Sequence, residues 1–236
     1  MDVLTLENTI PSQVGNVVGL SSIVAHRRPG AKATAKARMS DEDGLISRAA
    51  TGDMAAFRVL YDRYKSDVAR LVHRMLSGRT DLEDVIQEVF VQVYRSLKDF
   101  RGQSKFSTWL HRVTVNVVLM HRRAAKSRPV YAGEAQYEYV DSETIRPDED
   151  ASRRERVRAF SRLLERMPEK KRIVFILHEL EGLAPSEIAE IVECPVLTVR
   201  TRLFYARREL EEMIDDEPSL AGIRMFEPAA VAGGET

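Results

Sequence analysis

The stretch PSEIAEIVECPVLTVRTRLFYARREL, Pro185 to Leu210, carries the most specific pattern in the chain. Ile188, Ala189, Val192, Val196, Val199 and Leu203 recur at helical spacing on both sides of a break at Glu193-Cys194-Pro195. Two short helices that share an apolar face across a tight turn form a helix-turn-helix, and the small Ala189 sits where the helices approach closely. Positions 199, 203, 206 and 210 then face inward, which leaves Arg200, Thr201, Phe204 and Arg208 outside. Four arginines (200, 202, 207 and 208) fall within nine residues, and no acid appears from Cys194 until Glu209. A helix this basic is a solvated surface, a membrane face or a reader of a DNA groove. Packing within the motif already consumes the apolar side that a membrane face needs. Arginine forks to guanine or pairs with phosphate, and Thr201 and Phe204 suit base edges and thymine methyls. Arg207 and Arg208, farther along, suit phosphates. The spacing favours DNA over a merely solvated face.

Composition does not point to a polyanion partner. Lys plus Arg and Asp plus Glu each total 36, so the formal net charge is zero and only local clustering can attract DNA. A length of 236 residues with 44% apolar content suits one or two domains with real cores. The sole cysteine, Cys194, excludes an intrachain disulfide and a Cys-cluster zinc site. The histidines (26, 73, 111, 121, 178) take no metal-ligand spacing, so no metal and no cofactor is expected. No apolar run approaches the roughly 20 residues of a membrane span. The weak apolar stretch 14–25 precedes its arginines, the wrong order for a secretory signal, and a cytoplasmic protein is the expectation.

Read along the chain, residues 1–40 mix small and polar types without periodicity and read as a disordered extension. Asp53 is a candidate N-cap for a helix with Phe57, Leu60, Tyr61, Tyr64, Val68, Leu71, Val72 and Met75 at steps of three and four. Thr80-Asp81-Leu82-Glu83 is a capping box that opens a second helix with Leu82, Val85, Ile86, Val89, Phe90, Val93 and Leu97 inward. A third helix starts near Ser107 with Trp109, Leu110, Val113, Val117 and Met120. Residues 129–152 break the pattern: seven acids (134, 138, 141, 143, 148, 149, 150) face one arginine, Arg146, as in an acidic linker between domains. Helices at 153–167, 168–181, 185–193 and 197–213 follow, with Gly182 past the end of the second, and a loose tail closes the chain from about 215. The expected fold is all-α, two small helical domains at 41–128 and 153–214 joined by a flexible acidic linker.

Two further clusters bear on function. From Arg101 to Arg128 there is no acid, and Lys or Arg occupies 101, 105, 112, 122, 123, 126 and 128. Phe106, Trp109 and Asn116 interleave with this charge. Basic groups attract phosphates, while aromatics and an amide can hold an unstacked base; Trp109 also suits a packing role. In the helix opened by Asp81, the acids Asp81, Glu83, Asp84 and Glu88 suit a helix start, a partner surface, a metal site or an acid/base pair, and with no histidine or second carboxylate cluster beside them the helix start is the plainer reading. No nucleophile elbow or phosphate-cradling glycine loop occurs, so no enzyme is expected.

Taken in order, DLEDVIQEVFVQVYRSLKDFRGQSKFSTWLHRVTVN (81–116) and MPEKKRIVFILHELEGLAPSEIAEIVECPVLTVRTRLFYARREL (167–210) resemble bacterial RNA polymerase sigma factors of the extracytoplasmic-function type. The resemblance covers about residues 42–128 and 153–214. It implies sigma region 2 followed by region 4 across a linker that threads toward the polymerase cleft. Asp81, Asp84, Gln87 and Glu88 match the face that docks on the coiled coil of the polymerase clamp. Lys105, Trp109, Arg112, Asn116, Arg122 and Arg123 fall in the promoter −10 segment, Asn116 matching an asparagine that contacts a flipped non-template base. Arg200, Thr201 and Phe204 match −35 readers, with Arg207 and Arg208 beside them. Tyr205 stands where relatives often carry arginine, and Ala184 replaces a frequent serine cap.

The implied partners are core RNA polymerase and promoter DNA, and the two extensions leave room for control by an anti-sigma factor. The alternative is a free-standing helix-turn-helix regulator, which leaves the acidic helix and the basic 101–128 segment without a purpose. A pure interaction protein would bind its partner without DNA.

Overall fold

The computed structural model describes residues 35–77, 82–127 and 147–220. All regular structure among them is helical: α1 (Ala35–Ala50), α2 (Met54–Leu76), α3 (Leu82–Ser96), α4 (Phe106–Ser127), α5 (Pro147–Arg166), α6 (Glu169–Phe175), α7 (Pro185–Ile191) and α8 (Val196–Asp215). Short 3-10 turns occupy Leu97–Asp99 and Pro218–Leu220.

Helices α1 to α4 pack around one apolar centre. Asp53 caps α2 as its sequence position implies, its carboxylate accepting from the N–H groups of Ala55 and Ala56 at 2.9 and 3.0 Å. Those backbone N–H groups and Arg48 hold the Asp53 carboxyl below the usual carboxylate range. Leu71, Val72, Leu76, Val85, Val89, Leu97 and Val118 are almost fully enclosed. α1 was not evident from periodicity. Its first turns, 35–40, lie in the stretch read as extension, while Ile46 and Ala49 anchor it on α2. Glu42 ties it down further, accepting from Arg63 at 3.2 Å and from the Tyr64 hydroxyl. Met120, expected inward, is 63% exposed; Val115 and Val118 fill the core instead.

α5 to α8 form a second cluster around Phe160, Leu163, Val174, Phe175, Ile188, Val199 and Leu210. α5 begins at Pro147, inside the stretch read as linker. Proline suits a first helical position, and acids at 148–150 favour a helix start, so the end of the acidic run nucleates α5 rather than keeping it apart. α6 runs into a π-helical turn, Ile176–Leu180, in which Glu181 N–H reaches the Ile176 carbonyl at 3.0 Å. Gly182, at φ 70°, then allows Leu183 N–H to close on the Leu177 carbonyl at 3.0 Å. Pro218–Leu220, within the expected tail, folds back so that Leu220 is 1% exposed against α5 and α8.

The helix-turn-helix forms where the sequence puts it. α7 lacks a side-chain cap at Ala184, but Glu187 reaches back to accept from Ala184 N–H at 3.1 Å, half of a capping box. The turn between α7 and α8 places Glu193 in the left-handed region at φ 50°, and Cys194 N–H bonds the Ala189 carbonyl at 3.2 Å.

The two helical clusters also touch each other. α4 packs against α7, and Arg122, Ser77 and Arg74 reach across to Glu165 and Glu181. This joining was not visible in the sequence.

Candidate nucleic-acid interface

Lys105, just before α4, and Trp109, Arg112, Asn116, Met120 and Arg123 on it follow at steps of three and four along one face. Lys105, Asn116, Met120 and Arg123 are exposed, and Arg112 is half-buried. Trp109 is only 7% exposed, its ring 5.3 Å from Phe100 and 5.5 Å from Phe106. It is packing and surface at once. Its remaining edge joins Arg101, Gln103, Ser104, Thr108 and Arg112 around a cleft of about 490 Å³. The loop 101–104 appears in the sequence as a polar turn, so Gln103 and Ser104 were missed; Gly102, at φ 68°, is what lets the turn curl over the cleft.

Arg122 does not share that face, which corrects its grouping with the −10 residues. It is 5% exposed, and its guanidinium donates to the Met75 carbonyl at 2.8 Å and, as a fork, to both Glu165 oxygens at 2.9 and 2.8 Å. One helical step separates it from Arg123, and that step turns it toward α5. Glu165 also accepts from Ser77 at 2.8 Å and from Arg172 at 3.1 Å. Burial would raise the Glu165 carboxyl, but the Arg122 hydrogen bonds, the Arg172 charge and the Ser77 hydroxyl prevail and bring it down to about 2.

On α8, Leu197, Arg200, Thr201, Phe204 and Arg208 line the outer face, while Val199, Leu203, Ala206 and Leu210 are buried. Phe204 is 62% exposed, with no core role to account for it. The Thr201 hydroxyl donates to the Leu197 carbonyl at 2.9 Å, a bond it can exchange for a base edge. Arg208 pairs loosely with Glu212 at 3.0 Å. Arg207 lies off this face: it is half-buried and forks to Glu179 at 2.5 and 2.7 Å, bracing α8 on the π-helical turn. Tyr205 packs edge-on to Phe204 at 5.3 Å, with Lys171 Nζ 5.9 Å from its ring centre.

On α3, Asp84, Gln87 and Glu88 are exposed together, and Val91 extends the strip with 46% exposure. Asp81 and the Thr80 cap lie outside the described residues, as do Arg128 and linker residues 129–146. No described helix is long and apolar enough to cross a membrane.

Comparison with known proteins agrees with this layout. Residues 60–128 match the family model of Sigma-70 region 2, and residues 158–210 match that of Sigma-70 region 4. The ECF RNA polymerase sigma-E factor of Haemophilus influenzae is 38% identical over 180 residues, spanning 73% of this chain and 95% of that protein. That of Escherichia coli K12 is 38% identical over 177 residues, spanning 72% and 92%. In fold the chain is similar to CnrH, solved in complex with the cytosolic domain of CnrY, with a TM-score of 0.54 at 24% identity over 73% of this chain and 96% of that one. Both helical clusters, in this order and over nearly the whole length of these relatives, have one explanation: the chain belongs to the extracytoplasmic-function family of RNA polymerase sigma factors, which direct core polymerase to specific promoters.

Proposed function

We propose the following division of labour among the residues of this sigma factor. The outer face of α8 (Arg200, Thr201, Phe204, with Arg208 on phosphate) reads −35 duplex. The α4 face (Lys105, Arg112, Asn116, Arg123) and the cleft beside Trp109 capture −10 bases as they unpair. Asp84, Gln87 and Glu88 on α3, with Asp81 just before it, dock on the polymerase clamp. The chain itself does no chemistry and works where the polymerase works, in the cytoplasm. An anti-sigma factor, if one controls it, competes for the same surfaces.

The single observation that supports this most is the row from Lys105 to Arg123 on one helix face, basic in charge and exposed at Lys105, Asn116 and Arg123, with an aromatic-walled cleft at its start. Opening DNA costs about 1.4 kcal/mol per stacked step, and holding an unstacked base against an aromatic returns roughly 1–3 kcal/mol. A surface shaped for single bases therefore selects melted DNA without any catalytic step. Arg122 takes no part in this row; its place is between the domains.

Asn116→Ala tests the assignment. Reconstituted with sigma-free core polymerase, the variant should form open complexes about tenfold less well while −35 duplex binding stays within twofold, since one amide's contacts are worth about 1–2 kcal/mol. Equal losses in both measurements would reject base capture by Asn116.

A further inference from the structure

The pairs Arg70–Glu181, Arg74–Glu181, Lys105–Glu187 and Arg122–Glu165 join the two helical clusters, and in each the base belongs to the first cluster and the acid to the second. α7 brings this polarity to the edge of the cleft, whose wall carries Asp99 beside Arg101 and Arg112. Glu187 accepts from Lys105 Nζ at 2.9 Å. Glu190, one turn farther on the same helix, completes the cleft wall that Trp109 and Arg112 begin.

A carboxylate in that position offers the charge and acceptor oxygens that a DNA phosphate would offer to the same side chains. We propose that α7 is an internal competitor of single-stranded DNA. In the closed arrangement Glu187 and Glu190 take the places of −10 strand phosphates, and the strand enters the cleft only when α7 withdraws. This inference rests on the reading that the α4 face binds unpaired promoter DNA.

The energetics suit a removable cover. Lys105 is 73% exposed in its pair with Glu187, and such pairs are weak and screened by salt. A strand with several phosphates outmatches two glutamates. The less exposed pairs at Glu165 and Glu181 hold α5 and the end of the π-helical turn in place, so α7 is aligned over the cleft without gripping it tightly. One helix-turn-helix thus serves two purposes: α8 presents its outer face to duplex, and α7 covers the single-strand site until the domains part.

Trp109 is the sole tryptophan of the chain, so its fluorescence reports on the cleft in the full-length protein. The test compares wild type with E187Q/E190Q. Glutamine at 187 keeps an acceptor for Ala184 N–H, which protects the start of α7. D215N/D216N, at the exposed end of α8, removes the same charge away from the cleft. Two quantities are measured: acrylamide quenching of Trp109 without DNA, and the Kd for a mixed-sequence single-stranded DNA 12-mer at low salt. E187Q/E190Q should raise the quenching constant and tighten the 12-mer Kd by about fivefold, as expected for freeing two phosphate positions. The control should change neither by more than twofold. Unchanged quenching and affinity would overturn the proposal, and so would an equal gain in D215N/D216N. If Trp109 became accessible yet no chain bound the 12-mer, competition would be overturned because its premise, the single-strand site, had failed.

Discussion

Phe204 and Tyr205 are neighbours on α8 with different surroundings. Phe204 stands in solvent on the outer face, while Tyr205 leans toward Lys171 and meets Phe204 edge-on. The sequence flagged Tyr205 because relatives often carry arginine there; the structure shows that it faces α6 as much as any groove. A phenol supplies no phosphate-pairing charge. Tyr205→Arg should therefore steepen the dependence of −35 duplex binding on salt by about one unit in log K against log [salt], measured with the holoenzyme, because one more counterion is released. An unchanged slope would mean that position 205 lies off the DNA backbone. Residue identity made Trp109 a candidate, and its burial gives it a second, structural role. Arg122 shows the limit of such reading. Its charge and its place in a basic run fit DNA as well as those of Arg123, and only the helix phase relative to α5 separates them.

α7 shows what an element inherits from its sequence and what it lacks. Pro185 and Glu187 start it, and Ala184 has the extended backbone of an N-cap, φ −70° and ψ 150°, without an oxygen to use. Ala184→Ser should supply the missing acceptor and stabilise the fold by about 1 kcal/mol, seen as a higher urea midpoint at unchanged slope. No shift would mean that the reciprocal bond from Glu187 already satisfies the helix start. The apolar periodicities of α2, α3, α4 and α8 were legible because each buries one stripe against neighbours. α1 was not, since within residues 41–50 only Ile46 and Ala49 are fully buried. The start of α5 was hidden for a different reason: an acidic run that reads as linker is also good chemistry for a helix N-terminus.

At the scale of the whole molecule, Glu165 joins the two domains by accepting from Arg122 and Ser77 of the first, while Arg172 of its own domain also donates to it. Breaking a fully buried pair costs about 3–5 kcal/mol, but Glu165 keeps a third of its side chain in water, so Glu165→Gln should weaken closure by about 1–2 kcal/mol. A cycle with Arg122→Met, read by small-angle scattering and urea unfolding, should show coupling between the two sites; additive effects would remove Arg122 as the partner that matters. The pH dependence follows from the same carboxyl. Its value is held at about 2 against an ordinary 4.5, so its contribution is fully present above 4.5 and is lost as pH falls from there through about 2. The scattering radius should therefore grow over that window in wild type and show a smaller change in Glu165→Gln. Identical profiles would assign the acid transition to other groups.

The sequence by itself determined most of the helices, the helix-turn-helix and its outward residues, the acid-free basic run from Arg101 to Arg128 and the family. These are properties of local spacing: period, caps, turn chemistry and charge within one element. Tertiary structure alone decided which basic residues stay available. Arg122 goes to Glu165, Arg207 to Glu179 and Arg74 to Glu181, each partner at least 28 residues away in the chain. It also decided that Glu190 lines the cleft beside Trp109 and that Glu187 meets Lys105. Such pairings depend on the relative phase and separation of helices that meet only after folding, and one-dimensional spacing carries no information about them.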